Sequence, residues 1–183
     1  MPVNTLGVVE SRNIAAGVML ADGMIKAARV ELVRASTICA GRYLIFVSGE
    51  TDAVAASVNF AKSSAYSLIG SFVISNISPQ IPAALKNSLP GCGGAIGVVE
   101  CRNVSSGLAA ADKSVKKAAV RLLRLVTGQG ITGKSYFVLE GDIASVTEAV
   151  EEAKGFLADR LIEAIILPAP DESVVRAVTG RAR

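Results

Sequence analysis

Three cysteines, at positions 39, 92 and 101, are the side chains best suited to chemistry in this 183-residue chain, and no histidine accompanies them. A thiolate is a nucleophile and a soft metal ligand. Without histidine the usual general base and nitrogen ligand are missing. No Asp/Glu pair lies near Cys39 at a useful spacing, so an enzyme with Cys39 as nucleophile is poorly provisioned. The cysteines form no CxxC pair and their number is odd, which reads as reduced cytosolic thiols rather than a disulfide framework. Cys92 falls in a Gly/Pro-rich connection and reads as incidental there, and Cys101 ends an apolar run and reads as structural. Cys39 alone sits at a hairpin tip. Taken in isolation it reads as a buried, inert thiol. Lys26 and Lys116, at matching places on two helical patterns, read in isolation as solvated charges. Arg42 and Lys134 each follow a hairpin glycine, where they either set a positive field or are plain turn residues.

The elements that position these residues occur twice. The stretch Leu6 to Arg34 returns ninety positions later as Ile96 to Arg124, with Gly7/Gly97, Val8/Val98, Val9/Val99, Glu10/Glu100, Arg12/Arg102, Asn13/Asn103, Gly17/Gly107, Asp22/Asp112, Lys26/Lys116 and Val30/Val120 coinciding without a gap. The chain is therefore two copies of one module. In the first, Thr5 to Glu10 is an apolar run that predicts a buried strand. Asn13 is placed to cap a helix whose residues Ile14, Val18, Ala21, Ile25 and Ala28 form one stripe. Strands follow at Val30 to Ile38 and Tyr43 to Val47. Thr51 or Asp52 caps a second helix with Val54, Val58, Ala61, Ala65 and Leu68 on one face, then comes a strand at Ser71 to Ile77 and a short helix at Ile81 to Leu85.

The second copy reads in the same order. Strands are predicted at Ala95 to Glu100, Val120 to Thr127, Ser135 to Leu139 and Leu161 to Leu167. Helices are predicted at Val104 to Ala118, Ile143 to Leu157 and Asp171 to Val178, the second burying Ile143, Val146, Val150, Ala153 and Leu157. The order strand, helix, strand, strand, helix, strand predicts an α+β fold of two tandem ferredoxin-like (βαββαβ) modules. The expected domains are residues 1–86 and 95–183, joined by the linker 87–94.

Composition narrows the function. Hydrophobic residues make up 51% but aromatics only 4%, so the cores are aliphatic. Modules this small bury a modest fraction of their surface and gain from packing on one another or on further copies. A net charge of +3 without a basic, aromatic-interleaved run argues against nucleic-acid binding. The first ten residues lack the pattern of a secretory signal, and no apolar stretch approaches the roughly 18 residues that span a bilayer.

The copies diverge at one hairpin. The first joins its middle strands through Thr37-Ile38-Cys39-Ala40-Gly41-Arg42. The second uses Thr127-Gly128-Gln129-Gly130-Ile131-Thr132-Gly133-Lys134, two residues longer. Loops on a fixed scaffold are where function is placed, so this tip is the candidate site.

The repeated strand Gly7-Val8-Val9-Glu10 and its counterpart, the runs Asp22 to Val30 and Asp112 to Val120, and the short Gly loop before an apolar strand resemble the shell proteins of bacterial microcompartments in their tandem-domain form. The likeness spans nearly the whole chain and is greatest to the T-type branch of propanediol-utilisation compartments. The resemblance implies a homotrimer whose six modules look hexagonal, tiling edge to edge with other shell proteins into a cytoplasmic shell around enzymes. It places Cys39, Ala40, Gly41, Ile131, Thr132 and Gly133 at a central pore, and Lys26 and Lys116 at the tile edges. It further implies a 4Fe-4S cluster, held by one Cys39 from each of three subunits at the threefold axis, or an open pore for small metabolites. It implies no catalysis, no nucleic acid and no membrane. A trimeric small-molecule sensor built on the same fold is the alternative.

Overall fold

The computed structural model describes residues 4–180. β1 (Thr5–Ser11) is buried at every residue, which explains why its sequence reads as a continuous apolar run and not as an alternation. β3 (Arg42–Gly49) and β4 (Leu68–Ser75) flank it antiparallel, and β2 (Glu31–Ile38) forms the outer edge beside β3, giving the order β2-β3-β1-β4. α1 (Ile14–Ala27) and α2 (Thr51–Ser63) pack on this sheet, with Leu20, Ala21, Met24, Val54, Val58 and Ala61 meeting Val9, Ile45 and Val47 in one core. The second copy repeats the pattern with β5 (Ala95–Cys101), α4 (Val104–Lys117), β6 (Arg121–Thr127), β7 (Ser135–Gly141), α5 (Ile143–Leu157) and β8 (Leu161–Leu167), in the order β6-β7-β5-β8. Even the bulges recur, at Leu32/Arg34 and Leu122/Arg124 and at Glu10/Ser11 and Glu100/Cys101. The fold is α+β with two ferredoxin-like modules, as the element order predicted.

Two short helices follow the modules, α3 (Gln80–Lys86) and α6 (Glu172–Val178). The chain divides into two compact units. One runs to Ile77 and includes the hairpin tip Gly128–Gly133; the other holds Ser78–Thr127 and the chain from Lys134 on. α3 thus belongs to the second unit, where it packs on β6 and α4. There the Gln80 amide donates to the Val120 carbonyl at 3.1 Å and accepts from the Leu122 N–H at 2.7 Å. A side-chain amide so placed stands in for a further strand on the exposed edge of β6.

Five details differ from the sequence reading. The buried face of α1 is Ala16, Gly17, Leu20, Ala21 and Met24, while Ile14, Val18 and Ile25 are exposed. Ile143 of α5 is likewise exposed. α2 stops at Ser63, so Ala65 lies beyond it and Leu68 opens β4 instead of closing the helical stripe. Asn13 makes no side-chain cap, whereas Asn103 accepts from the Ser106 N–H. Likewise, neither Thr51 nor Asp52 caps α2: Glu50 holds the cap position, and the Thr51 hydroxyl bonds that of Thr5 at 2.8 Å.

Gly7 sets the approach of sheet and helix. A Cβ there would lie 2.8 Å from Val47 and 2.9 Å from both Val54 and Val58, and one at Gly97 would lie 2.6 Å from Val150. At an open strand position Gly→Ala stabilises by about 0.5–1 kcal/mol. At these two positions overpacking prevails, and Gly7→Ala and Gly97→Ala are each expected to lower the unfolding free energy by about 1–3 kcal/mol, read from the denaturation midpoint. Cys101 is fully buried, and burial pushes its thiol up to about 12, outweighing the Ser135 hydrogen bond that pulls it down. The thiol therefore stays protonated through neutral pH. Alkylation of the native protein at mildly alkaline pH is expected to spare Cys101 while modifying Cys92, and to reach Cys101 only in denaturant; labelling at Cys101 in the native state would contradict this.

Candidate functional site

The β2–β3 hairpin closes on three residues, Cys39–Gly41, because Ile38 already pairs with Arg42. So tight a tip demands left-handed backbone at two successive residues, Ala40 (φ 64°) and Gly41 (φ 68°). Glycine takes this without penalty; for alanine it costs about 1–2 kcal/mol. Such strain persists only where neighbours hold it in place. Arg42 is one of them. A single guanidinium nitrogen, Nη1, donates to Glu10 Oε1 at 3.0 Å and to the Gly133 carbonyl at 3.1 Å. The Glu10 side chain has no exposed surface, so a cation beside it is needed to hold its charge.

The tip Gly128–Gly133 completes this unit. It turns through four left-handed residues, Gly128, Gly130, Thr132 and Gly133, three of them glycine. Gln129 Nε2 donates to the Thr37 carbonyl at 3.0 Å, and the Gly130 N–H points at Cys39 Sγ at 3.2 Å. Of the residues assigned to the pore by resemblance, Ala40, Gly41 and Thr132 are exposed, Cys39 and Ile131 are half-buried, and Gly133 is buried. The two tips thus share one unit, and the Cys39 sulfur accepts a backbone hydrogen bond there. In the second unit Lys134 meets Glu100 at 3.0 Å. Arg42 and Lys134 are therefore each matched by a carboxylate, which removes the basis for a net positive field from these two cations.

Among the described residues no group of three or more His, Cys, Asp or Glu is placed to hold a metal ion. Sequence reasoning missed the surroundings of Cys92. Its Sγ accepts from Arg121 Nη1 at 2.6 Å, its N–H donates to Glu140 Oε1 at 2.5 Å, and Arg121 pairs with the buried Glu140 at 3.0 Å. No sequence signal joins residues so far apart. Lys26 and Lys116 each pair with the aspartate four residues earlier. The settings differ: Asp22 and Lys26 keep 57% and 74% of their side-chain surface, whereas Asp112 is buried and also accepts the Ser78 N–H at 2.8 Å.

Known proteins share this arrangement. The description of the BMC domain matches residues 5–77 and again 95–170. Over 179 residues the chain is 32% identical to the bacterial microcompartment shell protein PduT of Citrobacter freundii, covering 93% of this chain and 95% of that protein. A stretch of 75 residues is 41% identical to the carboxysome shell protein CcmK2 of Thermosynechococcus vestitus, 41% of this chain and 72% of that one. A crystal structure of a microcompartment protein from Desulfitobacterium hafniense superposes with a TM-score of 0.80 at 33% identity, covering 94% of this chain and 98% of that chain. No helix among the described residues is long and apolar enough to cross a membrane. A doubled βαββαβ module, matched twice by the same domain and from end to end by a tandem relative, places this chain in the BMC-domain family: it is a structural shell protein of a bacterial microcompartment, of the type that carries two BMC domains.

Proposed function

We propose that three copies of this chain close into a ring-shaped tile of the shell, that the Cys39 and Gly128–Gly133 tips line its central pore, and that three Cys39 thiolates hold a 4Fe-4S cluster there. The observation that carries the ring is an asymmetry between equivalent surfaces. On α4, Leu108 is 0% exposed; its counterpart on α1, Val18, is 52% exposed. Ile81 and Val174 both lie in the first turn of the short helix that follows each module, α3 and α6. Ile81 is 0% exposed and Val174 47%. One surface of each type is covered within the chain and one of each is left open. A head-to-tail contact that joins an open α6 to an open α1 on the next copy covers both, and it forms a ring when the rotation closes. The family resemblance implies six modules around the ring, which two-module chains supply as three copies.

The cluster rests on donor chemistry. A half-buried thiol at the tip, with an amide N–H directed at its sulfur, suits a ligand whose electron-rich sulfur needs hydrogen-bond support. One thiol per chain is too few; threefold symmetry supplies three, for three of the four irons, and leaves the fourth to a non-protein ligand. Bare thiolates gathered on an axis repel unless a metal neutralises them. Bound there, the cluster supplies one-electron transfer across the shell wall. The chain's own residues hold it: Arg42 fixes the tip and Gly130 donates to the sulfur. The compartment lies in the cytoplasm, the protein's partners are further copies and other shell proteins around enclosed enzymes, and the tile itself performs no catalysis.

Two measurements test this reading. The mass in solution is expected to be that of three chains, and Val18→Asp, at an exposed position, is expected to return a folded monomer; a wild-type monomer at high concentration would overturn the ring. After anaerobic reconstitution with iron and sulfide, the charge-transfer absorbance and the paramagnetic signal of the reduced protein are expected to vanish in Cys39→Ser and to persist in Cys92→Ser. A signal that survives Cys39→Ser would sink the ligand assignment.

A further inference from the structure

The longer of the two hairpin tips is fastened across the shorter one at both ends. The Gly133 N–H closes it on itself by donating to the Gly128 carbonyl at 3.3 Å. At its far end Arg42 Nη1 holds the Gly133 carbonyl at 3.1 Å. At its near end Gln129 Nε2 donates to the Thr37 carbonyl at 3.0 Å. Between these anchors lies Gly130, whose N–H meets Cys39 Sγ at 3.2 Å. The two backbones touch: a Cβ at Gly133 would lie 3.0 Å from the Cys39 carbonyl oxygen.

These contacts are unequal in strength. Sulfur is a weak acceptor, so the bond to Cys39 does not seat the tip by itself. An amide that donates to a backbone carbonyl is the stronger tie, and it comes from the residue next to Gly130. Arg42 grips the tip at Gly133, beyond Gly130, and a tip fastened there alone is free to pivot. The Gln129 side chain removes that freedom. The competing role for Gln129 is local: it satisfies the Thr37 carbonyl, a task that water also performs for an exposed residue.

The geometry points to Gln129 as a positioning residue: it seats the tip so that the Gly130 N–H stays on the Cys39 sulfur, and that bond raises the reduction potential of the cluster. The effect on potential rests on the reading that Cys39 ligates iron; the seating does not. Reduction adds negative charge to a cluster, and its thiolate sulfurs carry part of it. A donor at the sulfur therefore stabilises the reduced form more than the oxidised one. Threefold symmetry repeats the contact, so one substitution removes three donors from one cluster.

Gln129→Leu keeps the bulk and removes the donor. Its effect is read on the whole protein in a Cys92→Ser background. In metal-free protein, Cys39 is alkylated with a bulky and with a small reagent at one pH. The ratio of the two rates cancels the thiolate fraction and reports access to the sulfur. Gln129→Leu is expected to raise the bulky-to-small ratio about two- to tenfold, as release of one hydrogen bond allows, and Gln129→Lys, which restores a donor, should bring it back. After reconstitution, titration with dithionite is expected to place the midpoint of Gln129→Leu below that of the parent. The weak nitrogen coupling of the reduced cluster in pulsed electron paramagnetic resonance is expected to fade with it. Thermal melts identify a variant that fails to fold. An unchanged rate ratio in folded Gln129→Leu would overturn the seating role, and a raised ratio with an unmoved midpoint would overturn the effect on potential. A parent that takes up no cluster overturns the ligand reading and the potential with it, and the rate ratio alone then decides the seating.

Discussion

A carboxylate with no exposed surface, at the end of the central strand, governs the geometry of the first unit. A buried carboxylate is tolerable there because it is partnered, and Arg42 is the cation that meets it. That pairing fixes where β3 begins, and so leaves three residues in which the hairpin must turn. The same nitrogen that neutralises Glu10 also holds the Gly133 carbonyl, so one guanidinium sets the places of two tips. The left-handed Ala40 and the amide aimed at Cys39 both follow from this arrangement. In the second copy the equivalent pair, Glu100 and Lys134, is considerably more exposed, and a longer, glycine-rich tip has taken over the turn.

The duplication explains both the economy of the chain and its asymmetry. Two sheets share order, register and bulges, yet equivalent surfaces meet different ends. Asp112 and Ile81 are buried within the second unit, while Asp22 and Val174 stay exposed. An element repeated in tandem leaves one unmatched surface at each end, and the proposed ring is the arrangement that would cover both. Divergence accumulates where symmetry no longer constrains it. The hairpin tips differ in length, and the place of the serine that serves Arg34 is held by a valine beside Arg124.

Much of the fold was legible because the apolar runs are strong and occur twice. β1 and β5, the two hairpins and the order of elements all follow from pattern alone. The face of α1 did not. Its apolar residues lie on more than one side, so Ile14, Val18 and Ile25 make a stripe as regular as the buried set. The sheet approaches so closely that small residues win: a Cβ at Gly17 would strike Tyr43. The bulkier stripe is thereby left to the outside. The surroundings of the two asparagines at the helix starts also differ. The Ser11 hydroxyl engages both the N–H and the carbonyl of Asn13, whereas the Asn103 side chain accepts from the N–H and hydroxyl of Ser106 and from the Ser105 hydroxyl. At the candidate site the position of Cys39 at a tip was readable. The Arg42–Glu10 pair and the tether of Cys92 to Arg121 were not, since each joins residues remote in sequence.

The convergence of three thiols is the claim on which the pore rests, and distances between chains test it most directly. With Cys92→Ser in place and Cys101 protected by burial, a spin label attached at Cys39 reports only the tips. Pulsed dipolar spectroscopy of the assembled protein is expected to give one short, narrow distance and the modulation depth of three coupled spins. A long or broad distribution, or uncoupled spins, would place the tips away from a common axis and contradict the shared pore and its cluster together.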